Sequence, residues 1–132
     1  MIVVDASAAV RLFCWSDHTA RWLRDRLGRE TLVSVPALFD IEVLHALGRL
    51  EAREELGPTT IRQGLAGLVG LRATRHDHAP FRARIWSLRE NLTAYDATYV
   101  ALAEILDAPL LTLDARLARS SGHRATIEAP PD

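Results

Sequence analysis

The sequence of 132 residues contains no lysine, only one cysteine and no long apolar run. All 16 basic residues are arginines, so any mechanism that depends on a catalytic lysine is excluded. The single Cys14 has no partner in the chain for a disulfide bond. The longest apolar stretches, such as VALAEIL and LAGLVGL, are far shorter than the ~20 residues that a membrane-spanning helix needs. A net charge of −1 gives no general electrostatic case for nucleic-acid binding.

The first residues, MIVVDASAAV, contain no basic segment and carry an acid at position 5, which is unlike a signal peptide. We therefore expect an intracellular, cytoplasmic protein that makes no membrane contact. The hydrophobic fraction of 48% and the charged fraction of 25% are ordinary for a globular protein. A chain of this length suits a single domain that spans residues 1–132.

Short apolar segments alternate with longer amphipathic segments along the chain. We predict strands in MIVVD, TLVSV, RATRH, PLLTLD and HRATIEA. We predict helices in SAAVRLFC, DHTARWLRDRLG, PALFDIEVLHALGRLEAREE, TTIRQGLAGLVGL, APFRARIWSLRE, NLTAYDATYVALAEIL and ARLARSSG. The third of these helices is expected to begin at Pro36. The alternation indicates a three-layer α/β/α fold, in which a central parallel sheet of four to five strands is covered by helices on both faces.

Four acidic residues are candidates for a shared site. Asp5 and Asp114 each follow a predicted strand, and ligands of parallel α/β sheets bind beyond the carboxyl ends of the strands. Glu42 and Asp96 lie on predicted helices with apolar neighbours on the same face. Each acid alone has an ordinary explanation. Asp5 and Asp114 suit helix N-caps, and Glu42 suits a solvated helix face. Asp96 matches a capping box with Thr93.

These ordinary explanations weaken when the four acids are taken together, because clustered carboxylates repel one another unless a cation joins them. Oxygen ligands without paired histidines or cysteines suit a hard ion, Mg²⁺ or its substitute Mn²⁺. A Mg²⁺ ion held by a few carboxylates keeps positions for water and for a substrate phosphate. The acids therefore point to metal-assisted hydrolysis of a phosphodiester bond.

Four segments resemble the PIN-domain ribonucleases, and in particular the VapC-type toxins of type II toxin–antitoxin pairs. The segments are IVVDASA, ALFDIEVLHAL, LTAYDATYVALAE and PLLTLDARLAR, which surround the four acids in the family's order and spacing. The resemblance implies a PIN-like fold and a Mg²⁺-dependent endoribonuclease, a hydrolase of EC class 3.1. Its implied action is the hydrolysis of phosphodiester bonds in structured RNA such as tRNA or rRNA, which restrains translation and growth.

The resemblance also implies a role for each acid. Asp5 and Asp96 would be the principal Mg²⁺ ligands, and Asp114 would complete the site directly or through water. Glu42 would bind a second ion or orient the attacking water. The chain also matches the family at three polar positions that support the site, which are Ser7, Asn91 and Thr112.

The family's usual partners are a small antitoxin, which drapes a C-terminal segment over the toxin, and a second copy of the toxin. The resemblance therefore implies a VapB-type antitoxin, an RNA substrate and a homodimer, for which LAGLVGL is a candidate surface. Because the chain has no lysine, substrate contacts would fall to arginine. Arg82, Arg84 and Arg89 precede the Asp96 helix and are candidates for holding RNA phosphates.

Other interpretations fit the sequence less well. A haloacid-dehalogenase-type phosphatase needs a D-x-D motif and a helper lysine, and a receiver domain needs an acidic pair near its start and a lysine near its end. The sequence has none of these features. Two alternatives stay open, which are a PIN-like nuclease acting on another nucleic acid and a non-catalytic interaction module.

Two smaller features have more than one interpretation. His76 and His78 have a spacing that suits metal binding from a strand, but no companion cysteine or histidine motif accompanies them, which favours a loop or an edge strand. Gly64, Gly67 and Gly70 recur at every third position. On a helix they either allow a neighbouring backbone to approach closely or mark a loosely packed segment.

Overall fold

A computed structural model describes residues 1–131 and contains a five-stranded sheet. The strands are β1 (Ile2–Val4), β2 (Val33–Pro36), β3 (Thr74–His76), β4 (Leu110–Leu111) and β5 (Ile127–Glu128). Their order is β3-β2-β1-β4-β5, and every pairing is parallel. The central strand β1 is completely buried. The prediction of a parallel sheet of four to five strands is therefore confirmed.

Helices cover both faces of this sheet. They are α1 (Ala6–Cys14), α2 (His18–Leu27), α3 (Phe39–Ala52), α4 (Pro58–Gly70), α5 (Arg82–Ser87), α6 (Ala94–Leu106) and α7 (Ala115–Ala118). One layer is formed where α1 packs against α2, α3 and α4. In the other layer α6 packs on β1, β2 and β4, with α5 beside it. This arrangement is the predicted three-layer α/β/α fold.

The helix α6 is the most deeply buried element of the helical layers. Every residue from 97 to 103 is buried, because the helix lies across the three central strands of the sheet. Its N-cap is Thr93, whose side chain accepts a hydrogen bond from the backbone N–H of Asp96 at 3.1 Å. The helix therefore begins at a fixed point, with Asp96 in its first turn.

The start of α3 differs from the prediction. Pro36 does not open the helix, because it ends β2 in register with His76. The next amide, that of Ala37, still donates to the backbone oxygen of His76 at 2.8 Å, and the helix begins at Phe39. The φ angle of proline, fixed near −65°, suits the end of a strand as well as the first turn of a helix. The presence of Pro36 alone therefore does not predict whether the residue ends β2 or begins α3.

No helix within residues 1–131 is both long enough and apolar enough to cross a membrane.

Candidate active site

Two of the four acids are brought together by the register of the sheet. The strands β1 and β4 pair in parallel, with Val4 opposite Leu111, so their carboxyl ends lie side by side. Asp5 follows β1 and is the N-cap of α1, while Asp114 follows β4 and is the N-cap of α7. The expected position of both residues at one edge of the sheet is therefore correct, and both also serve as caps.

Three donors hold the buried carboxylate of Asp5. Its Oδ1 accepts hydrogen bonds from the Ser7 hydroxyl at 2.7 Å and from the Ala8 amide at 3.0 Å, and its Oδ2 accepts one from the Thr112 hydroxyl. Burial nevertheless raises the pKa of Asp5, although the three donors lower it, and the charge of Asp96 adds to the increase. The side chain is thus fixed in place, and the neighbouring Asp96 disfavours its charged form.

Ser7 and Thr112 also connect Asp5 to the loop that carries Asp114. The Ser7 hydroxyl accepts from the Leu113 amide at 3.1 Å, and the Thr112 hydroxyl accepts from the Asp114 amide at 3.0 Å. Two small hydroxyl side chains therefore join the start of α1 to the end of β4. Both residues were expected to support the site, and both contact its central carboxylate.

Asp96 and Glu42 approach the same region from two helices. Burial raises the pKa of Asp96, and the charge of Asp114 raises it further. Burial also raises the pKa of Glu42 on α3, and the charges of Asp5 and Asp96 act in the same direction. The acids are therefore close enough to repel one another. An approach of the Asp96 carboxylate to within one ion's reach of Asp5 stays a prediction.

The donor set suits a hard divalent cation. It consists of carboxylate oxygens, and one of them, Oε1 of Glu42, is buried with no hydrogen-bond partner in the described part of the chain. Within residues 1–131, no three Asp, Glu, His or Cys side chains are drawn together closely enough to hold an ion by themselves. Mg²⁺ is usually held by one or two carboxylates, with water as the remaining ligands. The arrangement therefore suits an ion that two carboxylates bind, and not one that protein ligands surround completely.

Comparisons with known proteins identify the family. The family model described as PIN domain matches residues 2–122. Ribonuclease VapC1 of Mycobacterium tuberculosis is 43% identical over 121 residues, which cover 91% of this chain and 90% of the relative. VapC ribonuclease Mb0985 of Mycobacterium bovis is 42% identical over 131 residues, which cover 99% of both chains. The chain belongs to the VapC-type ribonucleases of the PIN-domain family. It is therefore an enzyme, a ribonuclease of the hydrolase class.

Solved structures share the fold of this VapC-type ribonuclease. VapC20 of Mycobacterium tuberculosis, described as a sarcin-ricin loop cleaving toxin, has a TM-score of 0.68 at 15% identity and covers 94% of this chain and 97% of its own. VapBC2 of Rickettsia felis, bound to a DNA fragment from their promoter, has a TM-score of 0.69 at 13% identity, with 99% and 100% covered. At these identities the two likenesses concern the fold alone.

The structure of the VapC-type ribonuclease adds an arginine that the sequence did not single out. Arg116 lies in the first turn of α7, its side chain is 85% exposed, and its guanidinium lies 3.5 Å from Oδ2 of Asp114. Both oxygens of Glu104 accept hydrogen bonds from the Arg84 guanidinium, at 2.8 and 2.9 Å, so fewer of its donors are available for an RNA phosphate, and that contact stays a prediction. Arg89 stacks on the Trp86 ring, with 4.5 Å between its Cζ and the ring centroid.

The remaining polar candidates contribute differently. Asn91 makes no hydrogen bond to any of the four acids in the described chain, and its side chain lies against Gly122. Its role at the site stays a prediction. His78 is not a metal ligand, because its Nε2 accepts a hydrogen bond from the Leu38 amide at 2.9 Å. This bond satisfies the backbone N–H of Leu38, which is the N-cap of α3, the helix that carries Glu42.

Tyr99 is a second functional candidate that the sequence did not single out. It lies three residues after Asp96, is 2% exposed, and its hydroxyl has no hydrogen-bond partner within residues 1–131. Burial and then the adjacent Glu42 raise its pKa well above the usual value of a phenol. A tyrosine on an apolar helix face reads as a core residue, so no local signal marks it.

Proposed function

We propose that this VapC-type ribonuclease is a Mg²⁺-dependent endoribonuclease that cleaves structured RNA, such as tRNA or rRNA, and thereby restrains translation and growth. The observation that carries the proposal is that Asp5, Glu42, Asp96 and Asp114 approach the carboxyl edge of β1 and β4 closely enough for their charges to act on one another. Burial and neighbouring charge raise the pKa of Asp5, Glu42 and Asp96, and such carboxylates are stabilised when a divalent cation neutralises them.

Asp5 and Asp96 are the proposed metal-holding pair, and Asp114 completes the site directly or through water. When bound, the ion supplies electrostatic stabilisation of the phosphate oxygens that gain charge during hydrolysis. Glu42 is the proposed residue that orients the attacking water, and its proximity to Asp5 and Asp96, whose charges raise its pKa, supports this role. The three donors on Asp5 keep its carboxylate in one orientation throughout the reaction.

Arg116 is the proposed contact for an RNA phosphate. Phosphate entering a group of carboxylates is repelled, and an arginine at the edge of that group offsets the repulsion. The exposure of Arg116 leaves most of its donors free for this purpose. If the contact forms, Arg116→Ala will weaken RNA binding and reduce its dependence on salt. An unchanged salt dependence would remove Arg116 from the binding surface.

The decisive experiment replaces one carboxylate with its uncharged isostere. We expect Asp5→Asn and Asp96→Asn each to abolish Mg²⁺-dependent cleavage of RNA, because each removes half of the metal-holding pair, while the far-ultraviolet circular dichroism is retained. The control is Asp25→Asn, which changes an exposed carboxylate on α2. Full cleavage by Asp96→Asn would sink the assignment. Sequencing of RNA ends after brief induction in cells will show whether one RNA acquires new 5′ ends.

The proposed partners are a VapB-type antitoxin and a second copy of the chain. The candidate surface for the homodimer includes Leu65 and Val69 of α4, which are 40% and 88% exposed. A monomer at high concentration in sedimentation analysis would exclude the dimer, and failure to bind a VapB-type peptide would exclude the antitoxin. We further propose that residues 1–132 form one domain in the cytoplasm. Asp132 lies outside the described residues.

A further inference from the structure

Two buried polar groups that lack a hydrogen-bond partner of ordinary geometry lie close enough at the candidate active site to affect each other's pKa. One is Oε1 of Glu42 on α3, and the other is the hydroxyl of Tyr99 on α6. Neither atom has a hydrogen bond of ordinary geometry in the portion of the chain that the structure describes, although buried polar groups in folded proteins are nearly always paired. The two atoms are therefore candidates to pair with each other.

The chemistry of the two groups is complementary. An ionised carboxylate only accepts hydrogen bonds, whereas a phenol both donates and accepts. A phenol has a pKa of about 10, so the Tyr99 hydroxyl is protonated at neutral pH and able to donate. The backbone amide of Ala6 also approaches the hydroxyl oxygen. Because an amide is a donor, it directs the hydroxyl hydrogen toward a different group.

Tyr99 also has a suitable position among the elements of the site. It shares the helix α6 with Asp96, and its hydroxyl lies near the residue that follows Asp5. The ring is packed within the core, with 2% of the residue exposed. A rigid ring places its hydroxyl more accurately than a mobile surface side chain does. The hydroxyl thus lies between Glu42 on α3 and the starts of α1 and α6, where Asp5 and Asp96 lie.

We propose that Tyr99 is a positioning residue whose hydroxyl donates to Glu42 and fixes the direction in which this carboxylate faces the attacking water. This inference rests on the proposed function, because Glu42 is the residue through which Tyr99 acts. A carboxylate without this donor turns among several rotamers and spends less time in the productive one. The role differs from core packing, since the aromatic ring alone supplies the packing.

The test removes only the hydroxyl group. Tyr99→Phe keeps the ring, and Tyr95→Phe is the matched control, because Tyr95 is the other tyrosine of the chain and is 64% exposed on the same helix. With a labelled RNA hairpin and Mn²⁺, we expect the single-turnover rate of Tyr99→Phe to fall about 10- to 100-fold, as for other residues that orient a functional side chain. KM should stay unchanged, and Tyr95→Phe should match the wild type.

A double-mutant cycle with Glu42→Gln separates positioning from packing. If Tyr99 acts through Glu42, removal of its hydroxyl will cause no further loss of rate once Glu42 is changed. An unchanged rate in Tyr99→Phe, or the same fold loss in both backgrounds, would overturn the proposal. A midpoint of urea unfolding that falls in proportion to the rate would overturn it as well, because the role would then be structural.

The same cycle distinguishes failure of this inference from failure of the proposed function. If the wild type cleaves no RNA with Mn²⁺, the proposed function fails, and the cycle is then measured by urea unfolding. A contact between the hydroxyl and the carboxylate requires a coupling free energy between Tyr99→Phe and Glu42→Gln that is different from zero. Zero coupling in unfolding would overturn the contact itself.

Discussion

Thr112 shows how one side chain organises the centre of the site. The residue is fully buried, and its hydroxyl donates to Asp5 while it accepts from the Asp114 amide. A hydroxyl is the smallest group that both donates and accepts, so no apolar side chain of the same shape can replace it. The Oγ1 atom of Thr112 therefore links the carboxylate of Asp5, after β1, to the backbone amide of Asp114, after β4.

We expect Thr112→Val to lower the free energy of unfolding by about 1–3 kcal/mol, because it leaves a buried acceptor and a buried donor unpaired. Thr112→Ser is the control, since it keeps the hydroxyl and loses only a methyl group. Urea unfolding followed by circular dichroism measures both. A valine variant as stable as the serine variant would show that the hydroxyl contributes no net stability.

At the scale of single residues, the sequence analysis found the acids because their positions had two compatible explanations. Asp5 and Asp114 were predicted as helix caps or as site residues. Both are caps, and because one carboxylate oxygen is enough to cap a helix, the cap does not conflict with the predicted site role. The sequence did not single out Tyr99 or Arg116. Tyr99 lies near Glu42, which is distant in sequence, so no local pattern encodes that contact. Arg116 lies two residues after Asp114, but no motif distinguishes it from the other arginines.

At the scale of elements, the glycines of α4 show a close approach between helices. A Cβ atom added at Gly64 would lie 2.8 Å from Leu47 and 2.9 Å from the sulfur of Cys14, and one added at Gly67 would lie 2.6 Å from the Phe13 ring. Gly64 and Gly67 are therefore closely packed, but they lie against side chains and not against the neighbouring backbone that the sequence analysis expected. At Gly70 an added Cβ meets nothing within 4 Å.

This difference predicts that replacement of glycine by alanine has opposite effects on stability at two positions of α4. Gly67→Ala should destabilise the protein by about 1–3 kcal/mol, because the methyl group overlaps a packed ring. Gly70→Ala should leave stability unchanged or raise it by about 0.5–1 kcal/mol, because alanine has the higher helix propensity. Thermal unfolding of the two variants compares them directly. Equal melting temperatures would contradict the close approach of α4 to α1.

Element types followed from the sequence, whereas element boundaries depended on contacts that the sequence does not display. The strands could be predicted because a central parallel sheet is buried on both faces, so its strands are short apolar runs. The helices could be predicted because the helices that cover a sheet are amphipathic, with apolar residues at helical spacing. The start of α3 was misplaced because it is fixed by the bond from Leu38 to the ring of His78. That contact spans 40 residues, and only the folded sheet brings its two partners together.

At the scale of the whole molecule, the fold collects like charges from four segments of the chain. Burial and neighbouring charge raise the pKa of Asp5, Glu42 and Asp96 in the folded state. Between the unfolded and the folded pKa values, the folded protein binds more protons than the unfolded chain does. The free energy of unfolding contributed by these groups therefore falls as the pH rises through that window, and the destabilisation is fully present above it.

This balance predicts how Asp96→Asn changes stability with pH and metal. In EDTA the variant should be more stable than the wild type at neutral pH, and the difference should shrink as the pH falls through the raised pKa of Asp96 toward its ordinary value of 3.8, where the wild-type carboxyl group is protonated. Asp25→Asn should follow the wild type.

Adding Mn²⁺ should raise the melting temperature of the wild type but not that of Asp96→Asn, because only the wild type has both carboxylates of the pair. A variant less stable than the wild type at neutral pH in EDTA, or a Mn²⁺ response equal in the two proteins, would show that the acids do not form a repulsive group that a cation neutralises.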